Sequence, residues 1–237
     1  MKCLMIIPAY NEENNIAQVI QNISKNAPDV DYLVVNDCST DNTRKKLAEL
    51  NANFISVPIN LGIGGAVQLG YKYALEHGYD IAVQIDGDGQ HDAAYIHDII
   101  NPIVENRADI VIGSRFINKE GFQSSGMRRT GINFLSFLIW FVCGKHVKDV
   151  TSGFRAVNKK FIKIYATDYP DDYPEPEAIV VGVLNRGRIE EIPVIMKERI
   201  SGKSSINLKK SVYYMIKVTL AILICRLSLG FRRGKEQ

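Results

Sequence analysis

The chain has 237 residues, enough for one α/β domain with a sizeable core, and its 46% hydrophobic and 23% charged residues are ordinary globular values. Four dispersed cysteines without CxxC or Cys/His spacing exclude a disulfide scaffold and a zinc module, and read as reduced thiols. The net charge of +3 hides an asymmetry: residues 197–237 hold ten Lys/Arg against two Asp/Glu, so a basic tail follows an acidic body, and with no nucleic-acid-reading motif a nucleic-acid partner is not expected.

The opening apolar run is too short for a signal peptide and turns acidic at Asn11-Glu12-Glu13, so no export is expected. From there short β-branched runs alternate with amphipathic segments. Strands are expected over residues 3–7, 32–35, 54–57, 81–85 and 109–112, and helices over 12–25, 41–50, 64–77 and 93–105. This alternation predicts a doubly wound, mostly parallel sheet, in which ligands bind beyond the carboxyl ends of the strands. Polar residues collect at those ends: Pro8-Ala9-Tyr10-Asn11-Glu12, Asn36-Asp37-Cys38-Ser39-Thr40-Asp41, Asn60-Leu61-Gly62 and Asp86-Gly87-Asp88. Asp37 is placed to accept hydrogen bonds from a ribose or a base edge, whereas Ser39 or Asp41 can cap the following helix; capping alone would also explain the whole stretch. Gly62-Ile63-Gly64-Gly65-Ala66-Val67 breaks the dinucleotide fingerprint at its last position, which argues against an NAD enzyme.

The strand at 81–85 runs directly into Asp86-Gly87-Asp88-Gly89-Gln90-His91. Two carboxylates one residue apart at the end of a buried strand repel each other unless a cation compensates them. Oxygen-only ligation suits Mg²⁺ or Mn²⁺, and Mg²⁺ takes one or two carboxylates with the rest of its shell from water and substrate phosphates, so a nucleotide-type substrate follows. A solvated Asp-Gly turn is the competing reading.

Two apolar stretches come later. Residues 132–143 are too short to cross a bilayer but sit beside Arg128 and Arg129, which suits membrane-surface docking or a core helix. Residues 211–230 are apolar but interrupted by Lys217 and Arg226, which favours an interfacial or partner-binding helix over a span; a buried helix capping the core is the alternative.

Taken together, IIPAYNEE, VVNDCSTDNT, NLGIGGAV, QIDGDGQH, IGSRF, DVTSGFRA and ERISGKSS resemble, in order, the inverting glycosyltransferases of family 2, and most of all the branch similar to dolichol-phosphate mannosyltransferase and the bacterial polyprenyl-phosphate sugar transferases. The resemblance covers residues 3 to about 210. It implies a GT-A fold, a mostly parallel mixed sheet flanked by helices over residues 1–206, followed by the basic apolar segment 207–237. It implies that Pro8, Tyr10, Glu12, Asp37, Gly62 and Gly87 cradle a UDP- or GDP-sugar. It implies that Asp86, Asp88 and Gln90 hold Mg²⁺ or Mn²⁺, and that Arg199, with Lys203 nearby, contacts the donor diphosphate. Where the family's mannosyltransferases usually carry a lysine, this chain has Ser205. Arg115, Arg128 and Arg129 match basic positions expected to receive an acceptor phosphate.

Such a reaction develops negative charge on the leaving nucleoside diphosphate, which a cation at Asp88 and the Arg199 guanidinium would stabilise. A lipid phosphate acceptor, already anionic near neutral pH, needs no protein base, whereas a saccharide hydroxyl needs a carboxylate. Asp149, Glu175 and Glu177 are the candidates for that base, Asp149 reading equally as a structural partner of Arg155. The expected setting is the cytoplasmic face of a membrane, with a small membrane protein as a further partner and a cell-envelope glycan as the destination of the sugar. A nucleotidyltransferase is disfavoured because the PAYNEE loop is acidic where a triphosphate needs basic residues, and a non-catalytic nucleotide-binding scaffold because Asp86, Asp88 and Arg199 are intact.

Overall fold

Seven strands form one sheet in the order β3-β2-β1-β4-β6-β5-β7, made by β1 (Cys3–Ala9), β2 (Asp31–Asn36), β3 (Phe54–Ser56), β4 (Ile81–Gln84), β5 (Ile110–Ser114), β6 (Arg155–Asn158) and β7 (Ile189–Pro193). The computed structural model describes residues 1–121, 123, 126–197 and 208–233. Helices α1 (Ile16–Asn26), α2 (Thr43–Glu49), α3 (Gly62–Glu76) and α4 (Ile96–Val104) connect the first five strands. The expected elements in this half are present with ends moved by a few residues, the last helix being preceded by a short 3₁₀ turn at Ala93–Tyr95.

Period-two alternation explains why β1 lies at the centre. Leu4 and Ile6 point into the layer formed with α3, α6 (Lys159–Thr167) and α7 (Pro174–Leu184), while Met5 and Ile7 join Ile16, Val19 and Ile20 of α1 and Ile99 of α4 on the other face. All four of these β1 side chains are fully buried, which is why the strand reads as an unbroken apolar run. Parallel register aligns the ends of neighbouring strands: Ala9 faces Asn36 and Ile6 faces Gln84. The chain leaving β1, β2 and β4 therefore turns toward one crevice.

The second half departs from simple alternation. Strand β6 inserts antiparallel between β4 and β5, with Gln84 opposite Arg155. Its incoming loop, Asp149 to Phe154, is thereby delivered to the same end of the sheet as Asp86 and Asp88. Neither β6, β7, α6 nor α7 was expected from periodicity; α7 is apolar nearly all round and so carries no helical stripe.

Helix α5 (Gly126–Cys143) packs on α8 (Leu208–Arg233), where Gly131 lets the Met215 sulfur approach. Val218, Ile222 and Cys225 of α8 are buried in the same core layer as Leu135 and Ile139 of α5. Each helix keeps a second apolar face outward: Phe134, Phe137, Trp140 and Phe141 on α5, and Tyr213, Ile216, Leu220, Ile224 and Leu227 on α8. Thus α8 both covers the core and exposes an apolar stripe. Among the described residues no helix is long and apolar enough to cross a membrane.

Candidate active site

A cleft of about 440 Å³ opens at the carboxyl ends of β1, β2 and β4 and is walled on the far side by the first turn of α3 and by Glu175. Pro8, Tyr10, Glu12, Asp37, Gly62, Asp86, Gly87 and Asp88 all line it, so eight of the residues expected to meet the nucleotide sugar or the metal are brought together. Gly87 is needed here for space: a Cβ at this position would lie 2.9 Å from the Pro8 carbonyl oxygen. Its absence lets the Asp86–Asp88 loop close on the end of β1.

The rim at β1 and β2 is tied by side chains that need no ligand. Asn11, held at φ +56°, accepts from the Thr40 backbone N–H at 2.8 Å through Oδ1, and its own N–H donates to Ser39 Oγ at 3.0 Å. Asp41 accepts from the Thr43 N–H at 2.9 Å and the Glu13 N–H at 3.1 Å. Burial draws its carboxyl upward, but hydrogen bonds from Thr43 and Glu13 outweigh it and hold the pKa below the usual carboxylate range. Capping therefore accounts for Asp41. Asp37 has a different job: buried in the cleft floor, it accepts from the Leu61 N–H at 2.7 Å and thereby fixes the start of α3.

Asp88 is buried, Asp86 is partly exposed, and the Gln90 N–H donates to Asp88 Oδ1 at 3.0 Å. The Gln90 amide donates to the Lys197 carbonyl at 3.3 Å, which occupies its NH₂ end and leaves its oxygen as the donor a cation can use. Asp86 and Asp88 put two carboxylates on the cleft, which Gln90 itself does not line, and carboxylate oxygens suit a hard divalent ion. Among the described residues no group of three or more His, Cys, Asp or Glu is arranged to hold a metal; a Mg²⁺ site needs only one or two carboxylates, the rest of its shell coming from phosphate and water. Arg199 and Lys203 lie outside the described residues.

Glu175, in the first turn of α7, was expected only as a candidate base and proves to be part of the cleft wall. Burial pushes its carboxyl above the usual range, partly offset by the nearby Arg155 and Arg128 guanidinium groups, while Asp86 adds to the rise. Glu177 lies elsewhere, in a smaller cavity with Asp171, Asp172 and Lys217. Asn60, Ile63 and Ala66 also line the cleft; the glycine-rich run that carries them was the available signal, once its failure as a dinucleotide motif was set aside.

The arginines separate. Arg115 is buried and grips the fully buried Asp149 bidentately, Nε to Oδ2 at 2.7 Å and Nη2 to Oδ1 at 2.6 Å. Neither residue lines the cleft, and the salt bridge expected between Asp149 and Arg155 is made with Arg115 instead, because the loop entering β6 passes the end of β5. In this arrangement the Asp149 carboxylate and the Arg115 guanidinium face each other rather than the cleft. Arg155 is fully buried and donates to the Ser152 and Glu175 carbonyls. Arg128 is exposed, and Arg129 lies 3.4 Å over the Phe116 ring with a buried Nη1 that has no hydrogen-bond partner.

Comparison with known proteins decides the family. The model of glycosyl transferase family 2 matches residues 5–165. The chain belongs to that family. As a family 2 glycosyltransferase it is 35% identical to the UDP-N-acetylglucosamine–dolichyl-phosphate N-acetylglucosaminyltransferase of Methanococcus voltae, over 80% of this chain and 83% of that protein. It is 27% identical to the undecaprenyl-phosphate mannosyltransferase of Micrococcus luteus, over 87% and 88%. Among solved structures it is similar to glucosyl-3-phosphoglycerate synthase of Mycobacterium tuberculosis in complex with Mn²⁺, UDP-glucose and phosphoglyceric acid, with a TM-score of 0.73 at 20% identity, covering 95% and 79% of the two chains. The sheet order and this likeness identify the GT-A fold that the motifs implied.

Proposed function

We propose that this transferase moves a sugar, with inversion, from a UDP-sugar to a polyprenyl or dolichyl phosphate at the cytoplasmic face of a membrane, in the synthesis of an envelope glycan. The donor lies across the ends of β1, β2 and β4, with Asp37 toward the nucleoside and Asp86 and Asp88 toward the diphosphate. Asp86, Asp88 and Gln90 would hold Mg²⁺ or Mn²⁺, which would supply positive charge to stabilise the leaving diphosphate. Pro8 and Gly87 shape the floor, and Glu175 bounds the side facing the acceptor. The curated relatives that act on dolichyl and undecaprenyl phosphates support this choice of acceptor.

The observation that carries the acceptor assignment is Arg129. A buried guanidinium N–H without a partner costs free energy that an anionic ligand recovers, and Arg129 begins the helix whose outer face exposes Phe134, Phe137, Trp140 and Phe141. An unsatisfied cation at the foot of an apolar stripe suits a phosphate on a lipid chain. Arg129→Gln is expected to raise the KM for polyprenyl phosphate by about tenfold or more while leaving the KM for the UDP-sugar within twofold, since a charged hydrogen bond contributes roughly 1.5–3 kcal/mol. Steady-state kinetics with radiolabelled donor measures both; an unchanged acceptor KM overturns the assignment, and transfer to a saccharide hydroxyl instead makes Glu175 the base.

The same surface accounts for membrane docking. Neither α5 nor α8 contains an Asp or Glu, α8 carries six Lys/Arg, and the outward apolar residues of α8 recur every three or four positions. The double variant Phe141→Glu/Ile224→Glu is expected to lower binding to phosphatidylcholine vesicles containing phosphatidylglycerol by about 100-fold, because each substitution forfeits roughly 1.5–3 kcal/mol of apolar burial. Flotation of the purified protein reads this out. Equal flotation of the two proteins excludes the lipid surface as the occupant and leaves a small membrane protein as the partner.

A further inference from the structure

His91 closes the Asp-Gly-Asp-Gly-Gln-His run, yet it does not line the cleft. Its side chain is 3% exposed, and its ring stacks on Phe154 with centroids 5.2 Å apart and planes 22° apart. The Asp86 backbone N–H donates to His91 Nδ1 at 3.0 Å. A nitrogen that accepts from a backbone N–H is unprotonated, so the ring proton of the neutral imidazole sits on Nε2. Nε2 faces the Asp86 carboxylate, 3.7 Å from Oδ2.

The same carboxylate is also limited by Gly153. A Cβ on Gly153 would lie 2.8 Å from Asp86 Oδ1 and 2.9 Å from Oδ2, closer than side chains approach each other. Gly153 and Phe154 are consecutive residues in the loop that feeds β6, so one dipeptide leaves room for the carboxylate and supports the ring that faces it. The antiparallel entry of β6 beside β4 is what makes both contacts simultaneous.

We propose that His91 is a positioning residue: backed by Phe154, it fixes the backbone and the carboxylate of Asp86 in the orientation that presents an oxygen to the cation, with Gly153 leaving the room that orientation needs. This rests on the reading of Asp86 and Asp88 as cation ligands. Partners that orient a metal ligand without touching the metal typically contribute 10–100-fold in metal affinity.

Three variants test it. His91→Phe keeps the stack on Phe154 and removes both nitrogens, His91→Asn keeps an acceptor near the place of Nδ1, and Gly153→Ala crowds the Asp86 carboxylate directly. Titration of Mn²⁺ into the protein in the presence of UDP, followed by electron paramagnetic resonance of the free ion and corrected for Mn²⁺ held by UDP alone, gives the affinity without any turnover. His91→Phe and Gly153→Ala are expected to weaken Mn²⁺ binding by about 10–100-fold, His91→Asn by only a few-fold, with melting temperatures recorded alongside. Native Mn²⁺ affinity in His91→Phe, or an equal loss in His91→Asn, overturns the proposal. Should His91→Phe fail to fold, the contrast between His91→Asn and Gly153→Ala decides, native affinity in Gly153→Ala counting against it. Wild-type protein that binds no Mn²⁺ removes the ligand assignment itself and this inference with it, a result distinguishable from a failure of the positioning role alone.

Discussion

Asp88→Asn is expected to lower kcat/KM for sugar transfer by about 10³-fold, roughly 4 kcal/mol of transition-state stabilisation, and to abolish the Mn²⁺-dependent part of UDP binding. The size of the effect follows from where the residue sits. Asp88 is buried at the end of β4, faces the cleft, and is held by the Gln90 N–H. An amide there keeps the shape and hydrogen bond but loses the charge that a divalent ion requires. Calorimetry of UDP binding with and without Mn²⁺ separates this from misfolding: Asp88→Asn should retain a weak metal-independent heat and a native melting temperature. A variant that binds Mn²⁺ and UDP as the wild type does would sink the metal-bridged donor site.

Asp149→Ala is expected to destabilise the fold by about 3–5 kcal/mol, because it strands the Arg115 guanidinium in a place where Arg115 is only 6% exposed. The loss arises from leaving one charge unpaired and not from any large net gain of the pair, so Arg115→Met/Asp149→Leu should recover much of it. Urea denaturation of the single and double variants measures the coupling. If Asp149 acted as a general base, its removal would instead abolish turnover at little cost in stability, and the double variant would restore nothing. A native denaturation midpoint for Asp149→Ala excludes the brace.

The part of the cleft formed by β1, β2 and β4 was legible because it is built locally. Parallel strands deliver their carboxyl ends to one edge whatever the rest of the chain does, so motifs following consecutive strands converge without further information. Tyr10, Asp37 and Asp88 could each be placed by counting residues from a strand end. Glu175 and His91 could not. Glu175 enters the cleft from a helix that periodicity does not mark, and His91 acquires its role only when Phe154 and Gly153 arrive from a strand running the other way.

The arginines show the same division. Their positions in the sequence group Arg115, Arg128 and Arg129 as equivalent cations, and charge alone gives no reason to separate them. The tertiary structure places one in a buried bidentate pair with Asp149, one on the surface, and one over Phe116 with a donor left unsatisfied. Segments 132–143 and 211–230 were each readable as a core helix or a docking helix; each helix buries one face in the core and leaves apolar residues exposed on another.

Composition, strand-end polarity and the spacing of two carboxylates determined the fold class, the metal chemistry to expect and the edge of the sheet where it belongs, since these follow from short-range backbone geometry. Only the tertiary structure decided which charges line the cleft and which neutralise each other, because desolvation and pairing depend on neighbours that are dozens of residues away in the chain and a few ångströms away in space.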